Sequence, residues 1–220
     1  MPTKTKSSQI VSRKRVSEHG EVFTAEREVK AMCDLVKDEC ERIDSRFLEP
    51  ACGQGAFLIE ILKRKLSIVT SQYRKTQNSW ELHSIIAISS LYGIDILADN
   101  VKICQENLFN IFFTEYSSLF RKKIKEEVCN IARYLLSCNI LWGDALTLQL
   151  PDDSKKPIVF AEWSFLGKGI VKRRDYTMAN LLQNQPLEGP NLFSDLGEEA
   201  FVPTPIKDYP TIHFLKLSSL

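Results

Sequence analysis

The sequence predicts an α/β fold, a parallel sheet whose strands alternate with helices. Three observations predict it. Short apolar runs each end in an acid, at Phe47-Leu48-Glu49, at Leu91-Tyr92-Gly93-Ile94-Asp95 and at Asn139-Ile140-Leu141-Trp142-Gly143-Asp144. Long stretches with apolar residues at helical spacing separate them, the alternation that builds a parallel sheet. The first run turns through Gly53 and Gly55 straight into a helix-forming stretch.

The chain of 220 residues is long enough for one core with extensions. A hydrophobic share of 44% and a charged share of 26% are ordinary for a globular protein. The formal net charge of +1 provides no global field toward nucleic acid, so any charge that meets DNA must be local or belong to a partner. The six cysteines show neither C-x-x-C nor metal-ligand spacing, so they are read as reduced thiols and no metal is expected. No apolar run reaches the length of a membrane span. Met1 to Arg15 is polar and basic without the apolar stretch of a secretory signal, and a cytoplasmic location is expected.

Taken in order, residues 1–17 read as a basic flexible arm, 18–165 as the folded domain and 166–220 as an extended tail or partner-docking segment. Thr24 is placed to cap a helix whose stripe is Val29, Met32, Cys33, Val36 and Cys40. After the strand ending at Glu49, a helix carries Phe57, Leu58, Ile61, Leu62 and Leu66 on one side. Ser67 to His83 is polar and reads as the end of that helix plus an irregular insertion. Ile85, Ile86 and Ile88 then lead into the second strand. Val101, Cys104, Leu108, Ile111 and Phe112 mark the next helix, and Phe120, Ile124, Val128, Ile131 and Leu135 a further one. Asn139 to Trp142 form the third strand, and Pro157 to Phe165 begin a fourth. Beyond about residue 184, prolines 186, 190, 203, 205 and 210 leave few periodic signals.

A strand that turns through glycines into a helix N-terminus makes a cup of free backbone N–H groups. Gly53 and Gly55 let the backbone approach a ligand where a Cβ would intrude. Glu49 can accept from a cationic amine, and Asp95, at the tip of the second strand, can accept from ribose hydroxyls. A ligand with a carboxylate, an amine and a ribose fits these features; a turn that merely needs glycine is the alternative.

Glu49-Pro50-Ala51-Cys52-Gly53-Gln54-Gly55-Ala56-Phe57-Leu58 resembles motif I of the adenine-specific (N6) DNA methyltransferases of restriction–modification systems. Gly20-Glu21-Val22-Phe23-Thr24-Ala25 resembles that family's N-terminal Gly-x-Val-Phe-Thr-Pro, with alanine for proline. Gly93-Ile94-Asp95-Ile96 and Gly143-Asp144-Ala145-Leu146 are similar to its next two cofactor motifs. The resemblance implies a Rossmann-like S-adenosyl-L-methionine (SAM)-dependent methyltransferase core, with an incomplete sheet and an N-terminal helix. It implies cofactor contacts from Phe23, Thr24, Glu49, Pro50, Ala51, Gly53, Gly55, Phe57, Asp95, Ile96, Asp144, Ala145 and Leu146. DNA is the implied partner.

The family's Asn/Asp-Pro-Pro-Tyr/Phe, which holds and stacks the flipped adenine, is absent, since the chain has no Pro-Pro. Glu162, Trp163 and Phe165 are the candidates left in the corresponding place. The expected function is therefore a DNA methyltransferase, or the SAM-binding modification subunit whose catalytic motif comes from a second methyltransferase or target-recognition subunit. A non-catalytic SAM-binding relative is the alternative, and a methyltransferase acting on RNA or protein the second.

Overall fold

The computed structural model describes residues 24–179 and 203–219. The basic arm, Phe23 and residues 180–202 lie outside the described residues.

Helix α1 (Glu26–Leu35) starts one residue later than expected: Ala25, not Thr24, holds the cap position. Alanine has no side-chain acceptor, and Glu28 instead reaches back to the Ala25 N–H at 3.3 Å. The helix breaks at Val36, whose φ of −122° is not helical, and resumes as α2 (Lys37–Glu41). That break splits the expected stripe. Val29, Cys33 and Cys40 are buried, whereas Met32 and Val36 face outward.

Strand β1 (Phe47–Glu49) leads through the glycine turn into α3 (Ala56–Tyr73). The polar stretch read as an insertion is mostly a second helix, α4 (Gln77–Ser89). Trp80 in its first turn is fully buried and lies 5.3 Å from the Tyr116 ring and 5.5 Å from that of Phe120. Its indole N–H donates to Thr70 Oγ1 at 3.0 Å. The amphipathic period is blurred because α4 also buries polar groups: Glu81 pairs with Lys125 at 2.6 Å and accepts from Tyr116 and from Gln77. Beyond β2 (Leu91–Asp95), α5 (Ala98–Phe120) runs to the residue expected to open the next helix. That next helix, α6 (Glu126–Asn139), follows a short connection through Arg121, where φ is +45°.

Strands β1, β2 and β3 (Ile140–Trp142) form a parallel sheet in that order, with Phe47 opposite Leu91 and Asp95 opposite Trp142. All five residues of the central strand are buried, as a parallel strand covered on both faces requires. Side-chain alternation sets the two faces. Gly93 faces α3, where a Cβ would stand 3.1 Å from Leu58 Cδ1. Tyr92 faces the other way, packs edge-on against Phe160 at 5.7 Å and donates to the Ala161 carbonyl at 3.0 Å. The core is thus an α/β, Rossmann-like sheet.

The expected fourth strand, β4 (Val159–Phe165), does not join that sheet. It pairs antiparallel with β5 (Ile170–Thr177), which also pairs with β6 (Lys207–Asp208) and β7 (Ile212–His213). A tight turn reverses the chain after β4. Gly167, Lys168 and Gly169 all take positive φ, and Leu166 N–H donates to Ile170 O at 2.9 Å, closing a tight hairpin in place of a helical crossover. The described part of the expected tail thus runs extended within this second sheet before ending in a 3-10 turn (Phe214–Ser219) that buries Phe214 and Leu217. No helix among the described residues is long and apolar enough to cross a membrane.

Candidate functional site

The parallel register brings Glu49, Asp95 and Asp144 to the C-terminal mouths of three adjacent strands. The glycine turn is anchored to the middle strand. Cys52 N–H donates to Ile94 O at 2.9 Å, and Gly53 N–H donates to Asp95 Oδ2 at 2.8 Å. The other Asp95 oxygen accepts from Leu97 N–H at 2.8 Å and from Asn100 Nδ2 at 3.4 Å. Asp95 is therefore a brace between turn, strand and helix as well as a candidate ligand acceptor. Each carboxylate oxygen carries two lone pairs, so Oδ2 retains room for one more donor beside the Gly53 bond.

Helix α3 starts at Ala56 with no side-chain cap. Gly55 is bonded to Cys52 O at 2.8 Å, but the first-turn amides of Ala56, Phe57 and Leu58 have no intrahelical acceptor. They give the cup a positive electrostatic floor suited to a carboxylate. The two glycines serve it differently. Gly53 (φ +52°) has open space where a Cβ would point, whereas at Gly55 (φ +90°) the Cβ would lie 2.7 Å from Cys104 Sγ. Gly53 fits the expected role of close approach to a ligand. Gly55 is required by its packing against α5.

Burial pushes the Glu49 carboxyl above its usual range, a rise opposed by a hydrogen bond from the Ala51 backbone. Asp144 behaves in the opposite sense. Its Oδ1 accepts from Leu146 N–H at 2.8 Å, and that bond holds its carboxyl below the usual range. Ile96 (46% exposed), one residue after Asp95, and Leu146 (95% exposed), two after Asp144, stand apolar in solvent. Two exposed apolar side chains at the mouths of neighbouring strands suit the faces of a flat, apolar ring. Ala145, next to Leu146, and Phe57, in the first turn of α3, are half-buried, and Pro50 and Ala51 are exposed on the turn. Thr24 is half-buried ahead of α1. Phe23 lies outside the described residues.

Sequence reasoning missed several supports of this mouth. Cys104 sits under Gly55, the Trp142 indole N–H donates to Ile96 O at 2.9 Å, and Asn107 Nδ2 donates to Gln54 O at 3.0 Å. Only the positions of Asn100, Cys104 and Asn107 near one face of α5, four and three residues apart, could have signalled them.

Glu162, Trp163 and Phe165 are elsewhere. Arg46, Ser90 and Asn139 immediately precede β1, β2 and β3 and mark the N-terminal end of the parallel sheet. Glu162 pairs with Arg46 at 2.6 Å, and the Trp163 indole N–H donates to Asn139 Oδ1 at 2.9 Å. Phe165 lines a hollow of about 680 Å³ with Ser90, Tyr73 and His83. Because β4 is half of a hairpin, it carries these residues to the end of the sheet opposite the three acids, where they cannot meet a ligand in the cup. Trp163 is a buried core residue with the Arg173 guanidinium 5.4 Å over its ring.

Comparison with known protein families matches residues 33–145 to the RMKL-like methyltransferase domain. Comparisons with the curated proteins and with the solved structures give no significant match. The matched stretch opens in α1 and closes just past Asp144, so it holds the glycine turn and all three acids. Since it spans just over half of the sequence, the chain belongs to the RMKL-like methyltransferase domain family.

Proposed function

We propose that this chain is the SAM-binding part of a nucleic-acid methyltransferase, with the exocyclic amine of adenine in DNA as acceptor, in the setting of restriction–modification. What supports the reading is that Glu49, Asp95 and Asp144 stand at the C-terminal ends of three adjacent parallel strands, with Asp95 bonded to the glycine turn. SAM supplies an electrophilic methyl group on a sulfonium. The chain's own residues bind and orient it: the first-turn amides of α3 face its carboxylate, Glu49 its amine, Asp95 its ribose, and Asp144 the adenine amino group between Ile96 and Leu146. Pro50, Ala51, Gly53, Phe57 and Ala145 line the same path, with Phe23 and Thr24 closing over the methionine end.

Among the described residues the candidates for holding the acceptor base, Glu162, Trp163 and Phe165, stand at the far end of the sheet. A second polypeptide that holds the adenine is therefore part of the proposal. RNA is the acceptor to be tested beside DNA.

Calorimetry with SAM, together with transfer of a labelled methyl group to adenine-containing duplex DNA and to RNA, tests the reading. The chain alone is expected to bind SAM and label neither. Glu49→Gln is the diagnostic variant: among the described residues its carboxylate receives a bond within the turn from Ala51 alone, so the fold survives its loss. Removing that charge-assisted bond is expected to weaken SAM by about tenfold or more. Unchanged affinity would remove Glu49 from the site, and no binding by the unmodified chain would end the proposal.

A further inference from the structure

Two basic turns that are far apart in the chain meet at the end of the molecule away from the cup. Helix α3 stops at Tyr73 and α4 starts at Gln77, which leaves Arg74 and Lys75 in the turn between them. Helix α5 stops at Phe120 and is followed by a 3-10 turn, Arg121–Lys123, ahead of α6. Gln77 joins the two turns, since its Nε2 donates to Lys123 O at 2.6 Å. Lys125 Nζ adds a second tie, to Asn78 Oδ1 at 2.7 Å. Lys75 and Arg121 each stand two residues before the first of these bonds, so Arg74, Lys75, Arg121, Lys122 and Lys123 form one patch.

All five residues are exposed, and among the described residues none of them is in an ion pair. Lys125 beside them is taken up by Glu81 at 2.6 Å. The helix ends account for part of the charge: the C-termini of α3 and α5 each carry about half a negative unit. Glu126 and Glu127 open α6 just beyond. Setting both acids and both helix ends against the five cations leaves a surplus of about two positive charges, on a chain whose formal net charge is +1. Five unpaired cations spread over two turns suit a polyanion with repeating charges. A single small anion would saturate with one or two of them.

Helix α5 fixes where the patch lies. It begins just after Asp95, at the cup, and its 23 residues carry the chain about 34 Å away. That is about one turn of B-form duplex.

We propose that this patch is a phosphate-contact surface for the nucleic acid whose target base lies at the cup, gripping its backbone about one helical turn from that base. The five cations meet backbone phosphates and read no sequence. The choice of nucleic acid as the polyanion rests on the proposed function, whereas the patch shares no residue with the SAM cup.

Fluorescence anisotropy of the full chain with a labelled adenine-containing duplex of about 24 base pairs, between about 50 and 200 mM salt, tests it. Arg121→Gln, Lys122→Gln and Lys123→Gln together are expected to weaken binding about tenfold or more at the low-salt end. The slope of log affinity against log salt is expected to become shallower by about two to three. Arg74→Gln with Lys75→Gln is expected to lower the slope by about two. Lys30→Gln with Lys37→Gln removes the same charge from α1 and α2 and is expected to leave the slope unchanged. Equal losses in that control would reduce the effect to net charge and overturn the proposal. Slopes unmoved by either patch variant, or no binding of the duplex, would also overturn it. Patch-dependent binding to phosphatidylserine–phosphatidylcholine vesicles but not to the duplex would assign the surface to a membrane, and the proposal would fall. Calorimetry with SAM on the same samples keeps two failures apart. SAM binding without patch-dependent duplex binding defeats only this inference, and patch-dependent duplex binding without SAM binding defeats only the proposed function.

Discussion

Gly53 and Gly55 stand two residues apart, and the space around each separates a ligand role from a packing role. Both take positive φ, which costs a side-chain-bearing residue roughly 1–2 kcal/mol. Beyond that shared backbone cost, alanine at Gly53 meets nothing within 4 Å, while alanine at Gly55 runs into Cys104 Sγ. Gly53→Ala should therefore lower stability by about 1–2 kcal/mol and weaken SAM disproportionately. Gly55→Ala should show the larger loss of stability, since α5 must shift as well. Urea unfolding and calorimetry on the two variants check the contrast; equal losses of affinity and stability at both positions would contradict it. On the proposed function Asp95 doubles its roles in the same way, because the carboxylate proposed for a ribose also receives the Gly53 and Leu97 amides that shape the cup.

At the level of elements, legibility followed how local each signal was. The strands ending at Glu49 and Asp95 were readable because a short apolar run, an acid and a glycine lie within a few residues. The glycine turn was readable for the same reason. Helix α4 was not: its Gln77, Glu81 and Trp80 find their partners on α3, α5 and the start of α6, and no window of sequence contains those pairings. The direction of β4 was hidden likewise, since Leu166-Gly167-Lys168-Gly169 closes a hairpin only if the basic stretch behind it becomes a strand. That stretch is a strand because Arg173 is satisfied by Asp175 at 2.7 Å and lies over Tyr209 at 4.6 Å, contacts made late in the chain. A test of α4 as a structural element follows from Trp80. Truncation to alanine empties a fully buried site among Phe112, Tyr116 and Phe120 and removes the indole N–H that Thr70 accepts, leaving Thr70 its bond to Glu115. Trp80→Ala should cost about 3–5 kcal/mol in urea unfolding. A loss within the range of surface substitutions would show that α4 is dispensable.

For the whole molecule, the telling group is Lys65, which ties three segments together at the end of the sheet opposite the cup. Its ammonium donates to the carbonyls of Ile43 and Ser45, ahead of β1, and to Ser90 Oγ, ahead of β2, at 2.6 Å in the last case. The residue is fully buried within α3, and burial pushes it down from 10.5 to about 7. The sign of the effect on stability follows from proton counting. Between about pH 7 and 10.5 the unfolded chain holds a proton on Lys65 that the folded chain has released, so unfolding becomes harder as pH rises, by up to about 1.4 kcal/mol per unit. Below about 7 both states are protonated and this gain is absent. The buried thiols, whose protons burial holds more tightly, act in the opposite sense toward the alkaline end. The comparison is therefore made against Lys65→Met between pH 7.0 and 8.5, where thiol ionisation is common to both proteins. Over that interval the unmodified chain should gain about 1–2 kcal/mol relative to the variant in urea unfolding. Parallel pH profiles would show that Lys65 keeps its proton in the folded state, held by its three acceptors strongly enough to outweigh burial.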